Sequence, residues 1–318
     1  MALRCAVIDD YQDAVRQFAD WTQLGDQVEL TVFTDHLDDQ DAVAERLAPF
    51  DIVVVMRERT PFPSALLGRL PRLQLLITSG MRNAAIDLEA AREHEITVCG
   101  TASNTEPPAE LTWALILGLT RHLIPENTAL RERGPWQHTV GTDLHGATLG
   151  LLGLGKIGTQ VARIGAAFGM EVIAWSQHLT PDRAEAAGAR LAPSKETLLT
   201  EADIVSIHLV LSDRTRGLLS ADELALMKPD ALLINTSRAG IIDQPALLEG
   251  LRNQRIAGAG LDVFETEPLP ADHPYRDLPN VLATPHLGYV TARNYRGYFA
   301  QDVENIQAFL DDRPLRAL

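Results

Sequence analysis

Short runs rich in valine, isoleucine and leucine alternate with stretches of helical period along nearly the whole chain. That alternation predicts parallel sheets covered by helices on both faces. In the first hundred residues, strands are predicted at 5–10 (CAVIDD), 28–34 (VELTVFT), 51–57 (DIVVVMR), 73–79 (LQLLITS) and 96–101 (ITVCGT). Helical patterns lie between them at 41–48, 64–70 and 86–94. A second series has strands at 148–155, 171–176, 203–210, 231–237, 258–263 and 281–286. Its helices are predicted at 158–169, 195–202, 221–228 and 245–253. Two long helical patterns remain, at 108–124 and 291–312, and the second is free to return and pack on the first series. The pattern is that of two doubly wound α/β units.

The first turn of the second unit reads GLLGLGKIGTQ, residues 150–160. Gly153, Gly155 and Gly158 form a G-x-G-x-x-G pattern that follows an apolar strand and opens a helix. In that context the first glycine allows a tight turn, the second lets backbone approach a pyrophosphate, and the third lets helix and strand pack. Free N–H groups at the helix start then meet the anion. The bland alternative is a packing turn with no ligand. An acid at the end of the next strand would grip the ribose of NAD, but Ser176 stands there, followed by Gln177. Without the carboxylate a 2′-phosphate is not repelled, which tips the expectation toward NADP and leaves NAD open. Arg183 lies a little further on and reads more readily as a surface helix residue.

Three further segments end strands of the second unit: LLINTSRAG, GLDVFETEP and LATPHLGYV. Ligands of open α/β sheets bind at carboxyl ends of strands. The segments supply Arg238, Glu267 and His286. An arginine forks a carboxylate with two charge-assisted bonds. A histidine gives up a proton near neutral pH, and a carboxylate on its far nitrogen fixes the tautomer. The trio suits reduction of a 2-oxo acid. Singly, each has a plain structural reading: a salt bridge, a satisfied core histidine, a turn cap.

Composition narrows the classes. Apolar residues make up 46% of the 318, enough for ordinary cores. The formal net charge of -15 argues against a nucleic-acid partner. Cys5 and Cys99 sit in strand-like runs and read as buried thiols of a reducing compartment. The N-terminal stretch lacks a signal-peptide pattern, and no apolar run nears the ~18 residues of a membrane span. A soluble cytoplasmic protein is expected. The nine histidines show no metal-ligand spacing, so no metal is expected.

The segments LHGATLGLLGLGKIG, NTSRAGIIDQPALLEGL, AGAGLDVFETEPLP and NVLATPHLG occur in this order. In them the chain resembles the D-isomer-specific 2-hydroxyacid dehydrogenases, and the likeness runs over nearly its whole length. The resemblance implies a Rossmann-type dinucleotide-binding domain at 101–286. It implies a smaller flavodoxin-like substrate domain from 1–100 and 287–318, with a cleft between. It implies Arg238, Glu267 and His286 as the catalytic set, with the histidine protonating the carbonyl, the glutamate paired to it and the arginine on the substrate carboxylate. It places Lys156 and Ile157 on the pyrophosphate. Leu209, Thr236, Ser237, Asp262, His286 and Gly288 fall along the rest of the cofactor. Backbone at Gly80, Met81 and Arg82 would bind the substrate carboxylate; Arg57 and Arg59 would face the cleft, one on the substrate and the other structural; Tyr289 would narrow the pocket or contact the substrate, and Asn104 falls at a hinge or the cofactor. The chain departs from the family at Met81, Arg82, Val210, Ala239 and Tyr289, which bears on the substrate more than on the reaction. A homodimer through 110–123 and the segment around Trp136 is expected, and no regulatory domain. The implied activity is NAD(P)H-dependent reduction of glyoxylate, hydroxypyruvate or a bulkier 2-oxo acid to a D-2-hydroxy acid. A dinucleotide-sensing binding protein or co-repressor on the same scaffold is the alternative.

Overall fold

A computed structural model describes residues 2–318, which divide into two compact units. The first holds residues 2–104 and 290–318. In chain order it contains β1 (Leu3–Val7), α1 (Val15–Phe18), β2 (Val28–Val32), α2 (Gln40–Leu47), β3 (Ile52–Val55), α3 (Ser64–Leu67), β4 (Leu75–Thr78), α4 (Leu88–Glu93) and β5 (Thr97–Gly100). The second, residues 105–289, runs through α5 (Glu106–Thr120), α6 (Leu123–Arg131), β6 (Thr148–Leu152), α7 (Lys156–Ala167), β7 (Glu171–Trp175), α8 (Pro181–Ala186), β8 (Arg190–Leu191) and α9 (Lys195–Glu201). It continues with β9 (Ile204–Ile207), α10 (Ala221–Leu226), β10 (Leu232–Asn235), α11 (Gln244–Arg252), β11 (Gly258–Leu261) and β12 (Val281–Ala283). The chain then returns to the first unit as α12 (Ala292–Leu310).

The first unit is a parallel sheet in the order β2-β1-β3-β4-β5, the doubly wound flavodoxin-like arrangement. β3 and β4 are buried at every position. Strands covered on both faces read as unbroken apolar runs, which is why IVVV and LLIT show no alternation. α12 carries Tyr298, Phe299 and Ile306 into this core, all almost fully buried. Each such side chain contributes roughly 2 kcal/mol of burial. The tail after α12 covers the open edge of β5: Gly100 N–H donates to the Arg316 carbonyl, Leu318 N–H to the Val98 carbonyl, and Cys99 bridges Ala317 antiparallel. Cys5 and Cys99 are free and buried.

The second unit is a seven-stranded parallel sheet, β12-β11-β10-β9-β6-β7-β8. The strand order reverses between β6 and β9, the switch point at which such sheets bind ligands. Asp and Ser side chains start several helices by accepting a first-turn N–H, as Ser194 does for α9 and Asp243 for α11.

The structure departs from the sequence pattern in three places. The predicted helix 108–124 is two, broken where His122 takes a left-handed backbone at φ 49°. Pro125 then sits in the first turn of α6, where its missing N–H costs nothing. β8 is an edge strand of two residues paired to β7, too short to carry a pattern. α1 and α8, of four and six residues, lie where no helical pattern is predicted.

Candidate active site

In the second unit, β6 runs straight into the glycine turn. Gly153 holds φ 100°, and a Cβ there would lie 2.6 Å from the His208 carbonyl oxygen. A Cβ on Gly158 would strike the Gly153 carbonyl. At Gly155 the same position is open, with nothing within 4 Å. Gly155 is also the N-cap of α7, so no side chain takes up the first amides of that helix. The turn is closed where the chain must fold and open where a ligand would approach. It presents uncapped N–H groups and the positive end of a helix dipole. These residues fit the pyrophosphate of a dinucleotide.

Around the turn, Leu209 packs close to Gly153. The ring of His208 lies 2.9 Å from Ser206 Oγ, and burial pushes it down to about 4, so it is neutral near pH 7. Ser176 is half-buried and follows the last residue of β7, with Gln177 and His178 exposed beside it. Arg183 is exposed on α8.

The end of β10 is built by Asn235. Its Oδ1 accepts the Ser237 N–H and its Nδ2 donates to the Arg238 carbonyl, both at 3.0 Å. Ser237 Oγ donates to the Ile207 carbonyl at 2.8 Å, tying β10 to β9. Thr236 Oγ1 lies 2.9 Å from Thr112 Oγ1 on α5. The half-buried Arg238 donates from Nη1 to the Ser237 carbonyl at 2.7 Å.

Asp262, at the end of β11, is fully buried. Its Oδ1 accepts from Thr284 Oγ1 at 2.6 Å and from Leu287 N–H at 2.7 Å, and its Oδ2 accepts Gly288 N–H at 2.8 Å. Burial raises this carboxyl above the usual range, and the hydrogen bonds pull against that. One side chain thus clamps the loop on both sides of His286. A Cβ on Gly288 would lie 3.0 Å from Asp262 Oδ2, so glycine admits the clamp.

Glu267 has both oxygens engaged. Oε1 accepts the Phe264 N–H at 2.8 Å, and Oε2 lies 2.6 Å from His286 Nδ1. His286 holds φ 53°. The Tyr289 ring meets the imidazole edge-on, with centroids 5.3 Å apart. Nδ1 is therefore occupied, and Nε2 is the nitrogen left for chemistry.

The first unit gathers a separate group at the ends of β3 and β4. Gly80 holds φ 94° against the Arg57 guanidinium, which a Cβ would strike. Gly80 N–H donates to Thr101 Oγ1 at 2.9 Å. Arg57 has a left-handed backbone at φ 58°, and its carbonyl accepts from Asn83 Nδ2 at 2.6 Å. Met81 and Arg82 follow as exposed residues of the same loop. Arg59 is engaged elsewhere: it donates to the Asp9 carbonyl at 2.5 Å and lies over the Tyr11 ring at 4.2 Å. Asn104 donates to Asn294 Oδ1 on α12 at 2.9 Å.

Asn235, Thr284 and Asn83 were not singled out from the sequence. All three are buried or half-buried polar residues that hold a loop end. A polar residue at the last apolar position of a strand is the signal that would have found Asn235.

Residues 113–288 match the model of the D-isomer specific 2-hydroxyacid dehydrogenase, NAD binding domain. The glyoxylate reductase of Aeropyrum pernix is 40% identical over 77% of this chain and 75% of its own. The D-3-phosphoglycerate dehydrogenase of Bacillus subtilis is 38% identical over 85% of this chain and 51% of its own, so the chain spans about half the length of that relative. The crystal structure of a phosphoglycerate oxidoreductase from Vibrio cholerae superposes with a TM-score of 0.92 at 38% identity, over 98% of this chain and 99% of the other. The chain belongs to the D-isomer specific 2-hydroxyacid dehydrogenase family.

Proposed function

We propose that the protein is an NAD(P)-dependent oxidoreductase that reduces a small 2-oxo acid to a D-2-hydroxy acid. The observation that carries this reading is the 2.6 Å Glu267–His286 pair, held in the loops after β11 and β12 of the unit that also carries Arg238 after β10 and the open glycine turn after β6. A nicotinamide dinucleotide, when bound, supplies the hydride. Gly153, Gly155, Lys156, Ile157 and Gly158 would hold its pyrophosphate, with Ser176 and Gln177 at the ribose. Leu209, Thr236, Ser237 and Gly288 would line the rest, and Asp262 fixes the loop that carries His286. Arg238 binds the substrate carboxylate. His286 delivers a proton from Nε2 to the carbonyl oxygen, and Glu267 holds Nδ1 so that the ring keeps one orientation. Arg57 with Gly80, Met81 and Arg82 forms a second anion-holding group, for which we propose a substrate role. Tyr289, packed on the imidazole, limits substrate bulk.

Ser176 places no carboxylate against a 2′-phosphate, which supports use of NADP alongside NAD. Named relatives act on glyoxylate and phosphoglycerate, and this supports a small 2-oxo acid as substrate. The exposed side chains of Leu123, Ile124, Leu130, Trp136 and Val140 support a second copy of the chain as partner. The test of the reaction is oxidation of NADH and NADPH by the purified protein with a panel of 2-oxo acids. Turnover with at least one acid is expected. Tight dinucleotide binding with no turnover on any acid overturns the reading in favour of a sensor.

A further inference from the structure

Tyr275 lies outside both the catalytic set and the dinucleotide turn. It sits in the 3-10 turn Pro274–Arg276 and is 3% exposed. Its hydroxyl donates to Gln244 Oε1 at 3.0 Å. Gln244 is the first residue of α11, and its Nε2 donates to the Ala239 carbonyl at 2.9 Å and the Ile242 carbonyl at 3.3 Å. Those carbonyls belong to the first residue and the C-cap of the short turn Ala239–Ile241, whose N-cap is Arg238. On its other side the Tyr275 ring lies against Phe264, centroids 6.4 Å apart. The Phe264 N–H is the one that donates to Glu267 Oε1. Burial and the nearby Glu265 carboxylate both raise the phenol, so it stays protonated and donates.

A continuous path of contacts therefore runs from the turn after Arg238, through Gln244, Tyr275 and Phe264, to Glu267 and His286. The two ends come from different strands, β10 and β11. We propose that Tyr275 and Gln244 form a strut that sets the spacing between the Arg238 loop and the Glu267 loop, as positioning residues of the reaction. The inference rests on the reductase reading above. A small acid gripped at its carboxylate and protonated at its carbonyl tolerates little error between the two groups; a displacement of about 1 Å can cost on the order of a hundredfold in rate. A tyrosine that merely fills the core would affect stability and leave the rate of the folded enzyme alone.

The experiment compares wild type, Tyr275→Phe, Gln244→Leu and the double variant. It reads kcat and KM on the best 2-oxo acid, dinucleotide affinity by fluorescence titration, and the thermal midpoint. Tyr275→Phe keeps the ring and removes only the bond to Gln244. Each single variant is expected to lower kcat about tenfold, and the double variant no further than the worse single, because both cut one path. Dinucleotide affinity is expected to stay within about twofold, because the strut does not reach the glycine turn. Amide hydrogen exchange at 239–242 and 264–267 is expected to quicken in both. An unchanged kcat in Tyr275→Phe, whatever the melting shift, overturns the strut, and so do losses that multiply in the double variant. Wild-type protein that reduces no acid overturns the underlying reading instead.

Discussion

His286 and Arg57 each hold a left-handed backbone, which costs a residue other than glycine on the order of 1 kcal/mol or more. Each is held there by hydrogen bonds from outside itself. Asp262 grips the Leu287 and Gly288 amides beside His286, and Asn83 grips the Arg57 carbonyl. The conformation alone marks nothing, since Glu95 and Gln254 share it just past helix ends. What distinguishes His286 is the carboxylate on Nδ1. For cofactor choice, the residue we propose as decisive is Ser176. An aspartate there would accept from a ribose hydroxyl and repel a 2′-phosphate. Ser176→Asp is therefore expected to raise the ratio of NADH to NADPH efficiency, read from kcat/KM with each. An unchanged ratio would show that this position does not face the ribose.

At the scale of elements, α12 carries an acid into an apolar core. Asp302 is fully buried, and burial holds its carboxyl well above the usual range despite the pull of Arg316. The folded state keeps a proton that the unfolded chain releases. This group's contribution is thus most favourable below the ordinary carboxylate value and falls as pH rises toward the folded value. Asp302→Asn removes that dependence. The variant should melt higher than wild type, by more at about pH 8 than at about pH 5. A variant that melts lower at both, or with no pH trend, would show that the charge is compensated in the fold. Nothing in the sequence of α12 announced this, because Asp302 reads as one polar position on an amphipathic helix. The strands were legible: all five of the first unit and six of the seven in the second lie where apolar runs predict them. β8 was hidden because two edge residues need no apolar pattern. Arg238, Glu267 and His286 stood out because each follows a strand. Tyr275 and Gln244 did not, since their role depends on a contact between residues 31 positions apart.

The whole molecule carries a net charge of -15, a poor general attractor for an anionic acid. Under the proposed function, the acid is held by local groups such as Arg238 and the dinucleotide by the uncapped start of α7, whose fields act at short range. The exposed apolar side chains of 123–140 need cover as well, and we propose a second copy. Trp136 is 79% exposed. Wild type is expected to sediment as a dimer and Trp136→Glu to shift toward monomer; monomeric wild type would rule this surface out as a homodimer contact. His286, held by Glu267, is the residue we propose as proton donor to a 2-oxo acid. The most direct test of that role is the rate of NADH and NADPH oxidation by wild type and by His286→Ala, on whichever 2-oxo acid wild type turns over fastest. Measurable wild-type turnover is expected, with a loss of about a hundredfold or more in the variant and dinucleotide binding retained. Equal rates in the two proteins would contradict it.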